Sequence, residues 1–243
     1  MSVSPHPCSR PGPTVSDAGI VIVTTWRVGT PERQQAAVDA IARTWEARDW
    51  PVAGLLSYSV LTGEDGDTLL HYSQWRSEED YHEMVRTERA ARNAEIDAAV
   101  PGIDRATFAV YELYRGGARG AEDARVPGGV VIVDVEFDGP GPARQRAWAD
   151  ALSEALGGDR EQCPGVLSGH FLVSLDGTRA LHYAEWESAH AHRDAEAVPG
   201  SGTGADTPWG RRVRPYPGLV SGTVRRYTPA LSLSPGVQRP SGP

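Results

Sequence analysis

Two short phrases hold the side chains of this chain best equipped for chemistry: LHYSQW at 70–75 and LHYAEW at 181–186. On a strand, alternate residues share a face. His71, Ser73 and Trp75 therefore project one way, and His182, Ala184 and Trp186 repeat the arrangement. Tyr81 follows Trp75, and His192 stands at the same interval after Trp186. An imidazole titrates near neutrality and can take or relay a proton. An indole N–H and a phenol O–H can donate to a developing oxyanion, where a preorganised donor is worth about 3–4 kcal/mol. His170, on the strand preceding the second phrase, adds a further ring. The competing reading is packing: a Trp that closes a core strand packs more often than it reacts, and duplication copies scaffold and site alike.

Other site types lack their residues. There is no P-loop, no dinucleotide fingerprint and no nucleophile elbow. His190 and His192 have no carboxylate or thiolate company on one helical face, so no metal is expected. The net charge of −8 argues against a nucleic-acid or anionic-membrane partner. Cys8 and Cys163 do not make a disulfide framework. Neither a signal-peptide core nor an apolar run of membrane-spanning length is present, which points to the cytoplasm.

The elements that must position these residues occur twice. GIVIVTTWRV (19–28) and GVVIVDVEFD (129–138) read as strands. PERQQAAVDAIARTWEA follows the first, with Val38, Ile41 and Trp45 at helical spacing; ARQRAWADALSEALGG follows the second, with Trp148, Leu152 and Ala155 placed alike. Hairpins come next, turning at GEDGD and at LDGT, and each ends in its His-Trp phrase. In the first copy Ser77 and Asp80 open a strong helix as a variant capping box. In the second, Pro199 and Pro208 forbid a continuous helix, and Trp209 falls in the expected loop. A last strand closes each copy. The order β-α-β-β-α-β is the ferredoxin-like unit. Because its sheet carries helices on one face only, the other face needs a cover, and a second copy supplies one. The expected fold is α+β: two fused ferredoxin-like domains forming an intramolecular dimeric α+β barrel. The expected boundaries are a disordered 1–17, domain one at 18–115, a linker at 116–128, domain two at 129–228 and a disordered 229–243.

HYSQWRSEEDY resembles the signature strand and helix start of the antibiotic biosynthesis monooxygenase family, in which the aromatic-polyketide members carry Asn, Trp and Tyr where this chain has His71, Trp75 and Tyr81. The second copy, HYAEWESAHAH, keeps Trp186 and places His182 and His192 at the flanking positions. The resemblance spans roughly 19–115 and 129–228. It implies an O2-dependent oxygenase for aromatic polyketides, oxidising an anthrone or phenol to a quinone or cleaving a ring. No cofactor is expected. Some fused relatives use reduced flavin from a partner reductase, so flavin is the alternative. The resemblance makes His71 the base or proton shuttle and Trp75 and Tyr81 the orienting donors, with His182 and Trp186 as their equivalents. Trp26, Trp45, Val60 and Phe108, with His170 and His192, would line the substrate. The first half, with its intact helices, is the favoured working pocket; the looped second half, opened for a bulky substrate, is the alternative. The rivals are a non-catalytic small-molecule-binding module and a polyketide cyclase, and the two-domain chain could pair as a homodimer.

Overall fold

The computed structural model describes residues 5–7, 12–118, 125–157, 165–197, 208–213 and 215–236. Cys8, Cys163, Pro199 and the side chain of Trp209 lie outside the described residues. In chain order the elements are β1 (Pro5–Pro7), β2 (Ile20–Arg27), α1 (Pro31–Glu46), β3 (Leu55–Gly63), β4 (Thr68–Trp75), α2 (Glu78–Met84), a π-helical turn (Val85–Arg89), α3 (Ala90–Ala99), β5 (Asp104–Ala118), β6 (Gly129–Phe137), α4 (Pro142–Gly157), β7 (Val166–Ser174), β8 (Arg179–Trp186), α5 (Ala189–Ala197), α6 (Pro208–Val213) and β9 (Leu219–Pro235). The chain divides into two compact units, residues 1–109 with 229–243, and residues 110–228. Among the described residues no helix is long and apolar enough to cross a membrane.

Unit 1 orders its four principal strands β3-β4-β2-β5, and unit 2 orders its own β7-β8-β6-β9. Numbered within each unit, both read second-third-first-fourth, the ferredoxin-like arrangement. The two long strands β5 and β9 each cross the boundary between units. Residues 110–118 of β5 pair with β7, with Tyr111 opposite Ser174 and Gly117 opposite Gly169. The far end of β9 pairs with β1, with Pro235 opposite Pro5.

This corrects the sequence boundaries. The stretch from 229, expected to fray, is strand through Pro235, and Leu233 is buried. Its Pro and Ser content disguised the alternating Leu231 and Leu233 of a strand that lies between β1 and β3. Part of the expected linker, to Ala118, is strand as well. At the other end, Gly12–Val15 is fastened to unit 1: Tyr72 donates to the Pro13 carbonyl at 2.8 Å, and Gln74 donates to the Gly12 carbonyl and accepts from the Val15 N–H.

Both units build their helix-covered face in one way. Each first helix starts on Pro, whose fixed φ suits that position. On α1 the buried Val38, Ile41 and Trp45 form one stripe; on α4 Trp148, Ala149 and Leu152 are fully buried against Val133, Val135 and Phe137. A glutamine ties each helix to its hairpin: Gln34 donates to the Gly63 and Thr68 carbonyls at 3.1 and 2.8 Å, and Gln145 to those of Ser174 and Arg179 at 3.2 and 2.5 Å. The hairpin turns need left-handed backbone at Gly66 and Gly177, with φ of 70° and 79°. The second helices differ. In unit 1 helix runs from Glu78 to Ala99 through the π turn, capped by Ser77, whose hydroxyl accepts from the Asp80 N–H. In unit 2, α5 stops at Ala197 and α6 resumes at Pro208.

Candidate active site

On the helix-covered face of unit 1, His71 packs its ring 4.1 Å from that of Trp26. Its Nδ1 lies 2.7 Å from the Tyr58 hydroxyl. Tyr58 stacks on Trp45 at 4.5 Å, and the guanidinium of Arg92 covers Trp45 from α3. Arg105 covers Trp26 in the same manner at 4.6 Å. Val60, directly opposite His71 on β3, is fully buried. The group is thus a run of rings closed by two cations. His71 Nε2 is buried and has no partner among the described residues. Burial, with the Arg105 charge second, pushes the His71 pKa down to about 3, so the ring is neutral at any physiological pH. Burial likewise raises the Tyr58 phenol, which stays protonated and can donate to Nδ1. In this geometry His71 is a buried, neutral ring bonded through Nδ1 to Tyr58.

Trp75 sits four residues along β4, about 13 Å away at the strand rise. Its indole N–H is spent on Ser73 Oγ at 2.8 Å, so it does not serve as a free donor. Its ring meets Tyr81 edge-on at 5.3 Å, and Tyr81 stacks against Phe108 at 5.8 Å. Phe108 is 51% exposed. Arg89, on the π turn, donates to the Tyr81 oxygen at 3.2 Å. The expected residues of unit 1 thus fall into two clusters, Trp26–Trp45–Val60–His71 and Trp75–Tyr81–Phe108. Tyr58 and the arginines join them. Tyr58 stands one residue after a β-bulge in β3, and strand alternation read through that bulge loses its face.

In unit 2, His182 stacks on Phe171 at 4.5 Å, and Trp186 meets His192 of α5 edge-on at 4.8 Å. Where unit 1 has Ser73, unit 2 has Ala184, and the Trp186 N–H is buried with no partner among the described residues. Burial lowers the His182 pKa to about 3, helped by His170 and His192. His170 does not join this group. It neighbours Phe171 on β7 and so faces the opposite side, set against Gly116 and Tyr183. Burial lowers its pKa to about 4.

The open space is beside these rings. A cavity of about 540 Å³ lies in unit 2 between α4, α6, β6 and β9, within the range of small-molecule sites. Val133, Val135, Trp148, Val213 and Leu219 give it apolar walls. Among the described residues Arg226 reaches it, paired with Glu196 and donating from Nε to His192 Nδ1 at 2.9 Å. Sequence reasoning missed every one of these lining residues as a site. It favoured unit 1, where these rings touch one another, and kept the looped second half as the alternative. Among the described residues, no group of three or more His, Cys, Asp or Glu side chains is placed to share a metal ion.

Residues 19–95 match the antibiotic biosynthesis monooxygenase family. Among solved structures, the chain is similar to an anthrone oxidase-like protein, with 19% identity, 94% of this chain and 98% of that chain covered, and a TM-score of 0.68. It also matches the ActVA-Orf6 monooxygenase of Streptomyces coelicolor, crystallised with nanaomycin D, at 26% identity over 51% of this chain and all of that one, with a TM-score of 0.34. A comparison with curated proteins finds no relative. The first of these likenesses establishes a shared fold across both units, and the family match lies on the strands and helices of unit 1. The family likeness thus rests on residues 19–95, and the second unit repeats the strand order of the first.

Proposed function

We propose that the protein is an O2-dependent oxygenase of a polycyclic aromatic polyketide, acting on an anthrone or phenol whose ionised form is itself the reductant. The observation that carries this reading is the unit 2 cavity of about 540 Å³, with Val133, Val135, Trp148, Val213 and Leu219 among its walls and the Arg226 guanidinium reaching it. The family that residues 19–95 match supplies the reaction class.

The chemistry asks little of the protein's acids and bases. An anthrone-type substrate loses a C–H proton to give a delocalised anion. That anion passes one electron to O2, and the two radicals combine to form a carbon-bound hydroperoxide, protonated at its outer oxygen. Loss of water leaves a ketone, so a CH2 group and one O2 become C=O and H2O. Arg226 would hold the ionised oxygen of the substrate and lower the cost of the anion, a charge-assisted contact strengthened by the apolar walls. Those walls orient the rings toward O2 and keep bulk water from the radical pair.

One observation favours a non-catalytic binding module instead: three of the four buried imidazoles, those of His71, His170 and His182, are held neutral with pKa values far below neutrality. Oxygen uptake separates the readings. The protein is mixed with an anthrone under nitrogen, with and without reduced flavin, and then exposed to air. Uptake above the spontaneous rate, reduced by Arg226→Gln, supports the oxygenase. Tight binding with no uptake in either arm supports the binding module.

A further inference from the structure

The two units share one template, so their helix-covered faces can be compared position by position through strand register. Trp75 lies opposite Ile20 on β2 and Leu55 on β3; Trp186 lies opposite Gly129 on β6 and Val166 on β7. Counting from those anchors, Trp26 corresponds to Val135, because they oppose Leu69 and Ala180. Tyr58 corresponds to Gly169, because they oppose Ser73 and Ala184. The β-bulge recurs at the same place, between Leu55 and Ser57 and between Val166 and Ser168. Along the helices the shared Pro and Gln align Trp45 with Leu156. Three large rings in unit 1 thus stand where unit 2 has Val, Gly and Leu.

Of the three positions only Val135 lines the cavity, so Trp26 is the ring that takes up the equivalent space in unit 1. Trp26 lies between the His71 imidazole and the Arg105 guanidinium, and Tyr58 between Trp45 and His71. In unit 2, Val135 is a wall of the cavity and Leu156 only edges the core cluster. Gly169 leaves room for the His182 ring, whose Nε2 stands 3.1 Å from the point a Cβ there would take. Opposite Val135, Gly222 of β9 also lines the cavity, and a Cβ on it would meet Val135 only at ordinary contact distance, 3.4 Å.

We infer that a planar aromatic ligand binds in unit 2 alone, one per chain, and that Trp26 plugs the equivalent space of unit 1. Residue 135 is the specificity-determining position: its small side chain sets how large a ring system enters. The first unit is then the rigid half of a duplicated protein whose second half has become the receptor. This assignment concerns where the rings go, and it stands apart from whether O2 chemistry follows.

Titration calorimetry of the full chain with a dihydroxyanthraquinone tests it. The expected stoichiometry is one. Val135→Trp rebuilds the unit 1 plug in unit 2 and weakens binding at least tenfold. Gly222→Leu fills the same space from an exposed strand without a backbone clash and does so too, which keeps the test valid if the tryptophan variant fails to fold. Trp26→Phe leaves affinity and stoichiometry unchanged. Two equal sites, no binding to the folded wild-type chain, or retained affinity in folded Val135→Trp and Gly222→Leu would each overturn the inference. Absence of oxygen uptake with one-to-one binding intact removes the oxygenase reading and leaves this one standing.

Discussion

Replacing His71 by Asn decides what the imidazole is for. The native ring is pushed down to about 3, against about 6.5 for a free histidine, chiefly by burial. A histidine whose native pKa is depressed is protonated in the unfolded chain before it is protonated in the fold. Its contribution is intact above the unfolded value and is lost as pH falls from about 6.5 toward about 3. Between about pH 7.5 and about pH 5 that loss is about 2 kcal/mol for one such group. His182 has the same depressed value and His170 one near 4, so the three together remove about 6 kcal/mol by about pH 5, a large part of a typical folding free energy. Asn cannot titrate but can still bond Tyr58. Urea denaturation at the two pH values should therefore show His71→Asn losing about 2 kcal/mol less than wild type on acidification, whatever its stability at the higher pH. The same variant reads catalysis. A neutral positioning group replaced by an amide keeps turnover within a few-fold, whereas removal of a general base costs about 100-fold or more. An unchanged pH slope of stability would refute the electrostatic argument, and a collapse of turnover in a folded variant would restore His71 as the base.

Other perturbations read other parts of the structure. Gln145→Leu strips two hairpin carbonyls of their donor and should cost about 1–3 kcal/mol in urea denaturation, with Gln34→Leu costing a similar amount in unit 1. Gly177→Ala forces a side chain onto a φ of 79° and to within 3.1 Å of the Gly141 nitrogen, so it should destabilise by more than about 1 kcal/mol. Arg226→Gln should raise KM for a phenolic substrate about tenfold while leaving the thermal midpoint nearly unchanged, because its ion pair with Glu196 is partly exposed; an unaltered KM would take Arg226 out of the site.

What could be read in advance follows from which signals are local. The doubled β-α-β-β-α-β order rested on alternation, helical spacing and turn glycines, all of which act within a few residues, and both copies fold as that order requires. The site rested on relations between copies, and there a small offset misled. Matching GIVIVTTWRV to GVVIVDVEFD sets Trp26 against Glu136, which is exposed, whereas strand register sets it against Val135. The offset arises after the strand. The Val28 N–H and the Phe137 N–H make equivalent bonds, to the Asp67 and Thr178 carbonyls, yet two residues separate Val28 from Pro31 and four separate Phe137 from Pro142. A one-residue slip on a strand exchanges faces. It hid the fact that unit 2 had lost the ring that fills unit 1. The same logic explains the repeated His-Trp phrase. It was conspicuous because its Leu, His, Tyr and Trp recur, and they recur on both faces of a strand whose residues are nearly all buried in each unit. In a duplicated chain, what the copies keep marks the shared scaffold; the cavity includes a position where they differ, Val135 against Trp26.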